Sequence, residues 1–85
     1  MKITMNMAHY HASVSRPLDT EIGTLQFRKA NQGWEVANYT TGAITGCSEL
    51  QVLVDMMNNQ IALERYTQAL GLRNAPKNYA RKRGQ

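Results

Sequence analysis

The stretch SELQVLVDMMNNQIALERYTQALG, residues 48–71, holds the strongest structural signal in the chain. Neither proline nor glycine occurs between Ser48 and Gly71. Ser48, with Gln51 three residues on, has the spacing of a capping box, and Glu49 puts a negative charge where the helix dipole favours one. Gly71 suits the left-handed position that follows a last turn. Leu72 can supply the accompanying apolar contact, and Pro76 blocks resumption. The spacing predicts one long helix.

At about 100° per residue, Leu50, Leu53, Val54, Met57 and Ile61 fall on one face of that helix. Val52, Met56, Leu63, Tyr66 and Leu70 gather on nearly the opposite face. A helix lying on a sheet needs only one apolar stripe, so the second requires its own explanation. One is a homodimer in which the stripe meets its symmetry mate. Another is a break at Asn58-Asn59, where asparagine caps a second short helix and both stripes become core. A third is a groove for a foreign partner. The Met56-Met57 pair suits all three, because methionine fills irregular cores and adaptable interfaces alike.

Upstream of the helix the patterning is that of short strands. Lys2 to Val14 reads as a first strand with Ile3, Met5 and Met7 on one face. The apolar parity then switches to Tyr10, Ala12 and Val14, which either a bulge near Ala8-His9 or a strand buried on both sides would accommodate. Arg16-Pro17 ends it, since proline cannot donate to a ladder. Thr20 to Lys29 is a second strand, with Leu25 and Phe27 inward and a bulge at Gly23. Ala30-Asn31-Gln32-Gly33 forms a hairpin loop. Trp34 to Thr40 returns as a third strand, with Trp34 and Val36 facing the core. After a turn at Thr41-Gly42, Ala43-Ile44-Thr45 is a very short fourth strand or the lead-in to the helix. The expected fold is α+β: an antiparallel meander of three or four strands packed against one long C-terminal helix, then a basic tail. Residues 1–72 make a single domain and residues 73–85 the tail.

Charge divides at the same boundary. Arg73, Lys77, Arg81, Lys82 and Arg83 give the tail five basic residues and no acidic one. Residues 1–72 hold the other five basic residues and all six acidic ones, a net of −1 within a whole-chain +4. The cationic character belongs to the tail.

A chain of 85 residues buries only about 60–65% of its extended surface, so its stability is marginal. Cys47 is the sole cysteine, which excludes an intrachain disulfide and fits a reducing compartment. A second subunit is then the expected supplement. No stretch approaches the ~20 apolar residues needed to span a bilayer, and Thr4, Asn6, His9 and His11 interrupt any signal-peptide core. The expectation is a cytoplasmic protein without membrane contact.

Chemistry-bearing residues are few. On a strand, His9 and His11 would share a face and, with Cys47, offer three zinc ligands, but nothing fixes a fourth. Two exposed polar residues, with no metal and no cofactor, is the expected state. Cys47 precedes a helix N-terminus, where a thiol can be activated, yet no partner signature accompanies it, and a small buried hydrophobe is the commoner role. The carboxylates are scattered, and Gly42 and Gly46 lack the lysine and spacing of a phosphate loop. These absences predict a protein that is not an enzyme and has no small-molecule substrate.

The tail remains. Arg73, Lys77, Arg81, Lys82 and Arg83 can neutralise phosphates, and Tyr79 can stack on an exposed base; Arg28 and Lys29 would extend that surface if the fold brings them close. A solvated terminus and a plug for an acidic protein groove are the competing roles. In length and layout, though not in residues, the chain resembles small proteins of phages and other mobile elements, including anti-CRISPR and anti-restriction inhibitors. The expected function is a dimeric, non-enzymatic module that contacts nucleic acid or a nucleoprotein complex. The alternative is an inhibitor that occludes a surface of a host protein.

Overall fold

A computed structural model describes residues 1–71. The elements run α1 (Met5–Ser13), β1 (Leu18–Thr20), β2 (Gly23–Ala30), β3 (Gly33–Asn38), β4 (Ile44–Cys47) and α2 (Leu50–Ala69). The four strands form one antiparallel meander in the order β1-β2-β3-β4. Register pairs Leu18 with Leu25, Phe27 with Val36, and Trp34 with both Lys29 and Cys47. Residues paired across strands share a sheet face, so Leu18, Leu25, Phe27, Val36 and Trp34 point the same way. Ile3 and Ala8 from the N-terminal segment and Leu50, Leu53, Val54, Met57 and Ile61 from α2 bury against that face as one core. On the opposite face Arg28 and Glu35 pair across the hairpin at 2.5 Å, and Ile44 is exposed.

The expected α+β architecture is present, a four-stranded antiparallel meander with the long helix C-terminal. Two elements differ. Thr20 to Lys29 is not one strand bulged at Gly23: Glu21-Ile22 is a hairpin turn, Gly23 at φ 127° opens β2, and Leu18–Thr20 forms the separate strand β1. Lys2 to Val14 is not a strand; it contains the helix α1, capped by Thr4, whose Oγ1 accepts from the Met7 N–H. The switch in parity at Ala8 is the trace of the longer period. Ala8 and Ala12, one turn apart, face inward with Met5 and Met7, and alanine and methionine favour helix over strand. Ser15 ends α1 in the left-handed region at φ 54°. The Arg16 N–H then reaches back to the His11 carbonyl at 3.0 Å, which closes the final turn before Pro17.

Helix α1 also resolves an edge. Strand β1 pairs only with residues 23–25 of β2, and among the described residues the β2 edge beyond it has no strand beside it. Gln26 covers this gap. Its side chain, buried to 6% exposure, donates from Nε2 to the carbonyls of Phe27 at 2.8 Å and His11 at 3.2 Å. An unpaired edge carbonyl is thereby satisfied without a strand.

Helix α2 is continuous through Asn58-Asn59, so the break that offered one explanation of the second stripe does not occur. Asn58 is used across the fold instead. Its Oδ1 accepts from the Ile3 N–H and its Nδ2 donates to the Ile3 carbonyl, each at 2.8 Å. The amide thus pairs with the backbone as a neighbouring strand would, and it anchors the segment ahead of α1. Asn58→Ala should lower stability by about 2 kcal/mol, because two partly buried backbone groups lose their partners. Urea titration of the variant measures this directly, and an unchanged midpoint would contradict the anchoring role.

The start of α2 also departs from expectation. Glu49 is the N-cap and makes no side-chain cap bond, and Ser48 lies one residue outside. What places the helix is the strand before it. A Cβ on Gly33, at φ +152°, would lie 2.5 Å from the Cys47 carbonyl oxygen and 2.7 Å from the Ser48 Cα. The β3 backbone therefore runs directly against the β4–α2 link, and only glycine permits it. The far end is as expected, with Gly71 left-handed at φ 74°.

Candidate interaction surface

The two stripes of α2 separate cleanly. Leu50, Leu53, Val54, Met57 and Ile61 are all buried against the sheet. On the other side Val52 is 40% exposed, Leu63 65%, Tyr66 60% and Leu70 54%. Met56 is partly buried and touches the core, so it is shared between the two faces. These exposures leave the second stripe without any covering element among the described residues. Beyond Ile61 no α2 residue is buried, and the last turns carry Leu63, Tyr66 and Leu70 past the edge of the core.

The spacing of this stripe is regular. Val52, Met56, Asn59, Leu63, Tyr66 and Leu70 are separated by 4, 3, 4, 3 and 4 residues, the alternation of a coiled-coil seam. Asn59 fills the one polar position and is exposed. Asn59 is invisible to the apolar pattern and enters only through the seam spacing. The nearby charges are held along the sides of the helix. Gln51 donates to Asp55 at 3.0 Å, Gln68 to Glu64 at 2.9 Å, and Arg65 reaches Glu21 at 3.8 Å. Glu21 also accepts from the N-terminal ammonium. That hydrogen bond first, then a backbone N–H, and with smaller effect the nearby cations, hold the Glu21 carboxyl below the usual carboxylate range.

The residues considered for metal or nucleophilic chemistry are dispersed. On a helix His9 and His11 lie roughly 200° apart, not on a common face as a strand would place them. His9 stands edge-on to Trp34 with ring centroids 5.5 Å apart, and His11 donates from Nδ1 to the Arg16 carbonyl at 2.9 Å. Among the described residues no three His, Cys, Asp or Glu side chains gather into a metal site. Cys47 is partly buried beside Trp34. Trp34 itself is in phase with Val36 as expected, but it covers the rim of the core, partly exposed, with the Lys29 ammonium 4.8 Å above its ring. A depression of about 200 Å³ lined by Ile22, Asn38, Thr45, Met57 and Gln60, among others, contains no titratable side chain.

The cationic candidates Arg73, Lys77, Tyr79, Arg81, Lys82 and Arg83, and the helix-end residue Leu72, lie outside the described residues. Arg28 and Lys29 would extend their surface only if the fold brought them close; Arg28 is paired with Glu35 on the sheet face away from the helices, and Lys29 lies over Trp34. No helix among the described residues is long and apolar enough to cross a membrane. Compared with known proteins, the chain matches no protein-family model, no curated protein and no solved structure.

Proposed function

We propose that this chain is a non-enzymatic, cytoplasmic binding module that pairs with a second copy through α2 and contacts nucleic acid through its basic tail. The observation that carries the reading is the α2 seam. Four of its six members are large apolar residues at least 40% exposed, on the helix face opposite the core. An apolar row of this length on so small a domain is costly to leave in water, and self-association is the simplest way to cover it. The same helix ends at Gly71, just before a run of five cations with no anion. Pairing would therefore double the number of phosphate-binding tails in one particle and raise their joint affinity.

The experiment is an anisotropy titration of arbitrary oligonucleotides at several salt concentrations, with the full chain and with a form lacking Pro76 to Gln85. That deletion removes Lys77, Arg81, Lys82 and Arg83 and leaves Gly71 in place. Each phosphate contact to B-DNA contributes about −0.9 to the slope of log K against log salt. The truncated form should bind more weakly to every sequence, with a slope shallower by up to about 3.6 per chain. Equal affinity and equal slope for the two forms would remove the tail from the function. No binding by either form at low salt would favour the inhibitor that occludes a host-protein surface.

A further inference from the structure

The α2 seam also carries information about orientation. We infer that the two helices pair antiparallel in full overlap, an inference that rests on the dimer just proposed. The register follows from the spacing. Met56, Leu63 and Leu70 occupy one of the two seam positions, and Val52, Asn59 and Tyr66 the other. Antiparallel seams pack one kind against the other. With the dyad beside Ile61, the layers become Val52 with Leu70, Met56 with Tyr66, and Asn59 with Leu63, each formed twice. No seam residue is left over. Ile61 itself faces the body, so each domain lies on the outer side of its own helix and does not obstruct the pairing.

Three features favour this orientation over the parallel one. The first is charge. A parallel pair brings both runs of five cations out at one end, where they repel within a Debye length of about 8–10 Å. Antiparallel pairing separates the two Leu70 residues by 18 positions, about 27 Å along the axis. The second is size. Parallel layers would set Tyr66 against Tyr66, whereas the antiparallel layers put Tyr66 against the adaptable Met56; the Asn59 layer alone suits the parallel seam better. The third is dipole alignment, since antiparallel neighbours place opposite helix ends together.

The flanking positions fit as well. Ala62 meets Ala62 beside the dyad, Gln60 meets Gln60, and Asp55 lies near Ala69, so no like charges face each other. From the exposures at the seam, the contact removes about 500 Å² per partner, close to the lower bound of about 1,000 Å² in total for a specific interface. The pair is therefore a dissociable one, and the tails leave it from opposite ends.

Thiol trapping of the full-length chain tests the orientation. Two variants, Val52→Cys and Leu70→Cys, are made in a Cys47→Ser background, one of them mass-tagged, then mixed and mildly oxidised. Antiparallel pairing puts residue 52 of one copy beside residue 70 of the other, within the Cα separation of about 4.4–6.8 Å that a disulfide requires. The expected product is the mixed dimer, at least about tenfold over either homodimer, because like positions are about 27 Å apart along the axis. Homodimeric products without the mixed one would show parallel pairing and overturn the inference while leaving the dimer standing. A mixture that sediments as a dimer but yields no trapped product would overturn it as well, since the contact would then lie elsewhere. Monomers throughout, with wild-type protein also monomeric, would remove the underlying dimer.

Discussion

Truncating Phe27 to alanine is expected to lower the free energy of unfolding by about 3–5 kcal/mol. Phe27 is fully enclosed, at 0% exposure, and is the largest of the wholly buried side chains. It sits mid-strand opposite Val36, with both helices contributing to the core around it. Domains are stable by only about 5–15 kcal/mol, and one this small sits low in that range. The variant should therefore be largely unfolded at moderate temperature. Urea denaturation followed by the single tryptophan, Trp34, measures the loss. A shift of less than about 1 kcal/mol would show that the sheet and helices do not close over Phe27 as described.

Leu63→Glu should have the opposite profile. Leu63 is 65% exposed in the isolated chain, so the domain's own stability should change by no more than about 0.5 kcal/mol. In the proposed dimer the residue is buried next to the dyad, and two unpaired carboxylates would be desolvated at once. Even a net cost of about 3 kcal/mol weakens association roughly 150-fold, at about 1.4 kcal/mol per factor of ten. Sedimentation velocity should show a folded monomer at concentrations where wild type is dimeric. Unfolding of the variant at its unchanged concentration would instead mean that Leu63 is part of the core.

The fold was legible wherever one residue type dictates a local conformation. Gly71 ended α2 because it alone tolerates the left-handed position cheaply, and Leu25, Phe27 and Val36 announced their strands by alternation. The N-terminal helix was not legible in the same way. Ile3, Met5 and Met7 match a period of two as well as they match a helix face, and Thr4, the N-cap that decides the matter, reads as an ordinary polar strand residue. Asn58 misled for a related reason. An asparagine inside a helix suggests a cap, but its partner is the backbone of Ile3, 55 positions away, and no local pattern encodes that contact. At the helix start, Ser48 had capping-box spacing, yet the close approach of Gly33 to Cys47 and Ser48 set the backbone path there. The interaction stripe was readable from spacing alone; its exposure depended on whether α2 would break.

The fold and the seam meet in one relation. One face of α2 closes the core of an 85-residue chain, and the opposite face carries a second, largely apolar row toward solvent. A helix so divided links the stability of the domain to its pairing: any dimer that forms through the seam also buries the solvent side of the helix that holds the sheet. Thermal midpoints should accordingly rise with protein concentration, as mass action requires when only the folded form associates.

Sedimentation equilibrium of the wild-type chain, from low to high micromolar concentration, tests the central claim most directly. The account predicts an apparent mass that climbs from one chain to two and levels there, because an isologous contact closes on itself. A mass that stays at one chain across the whole range would contradict it.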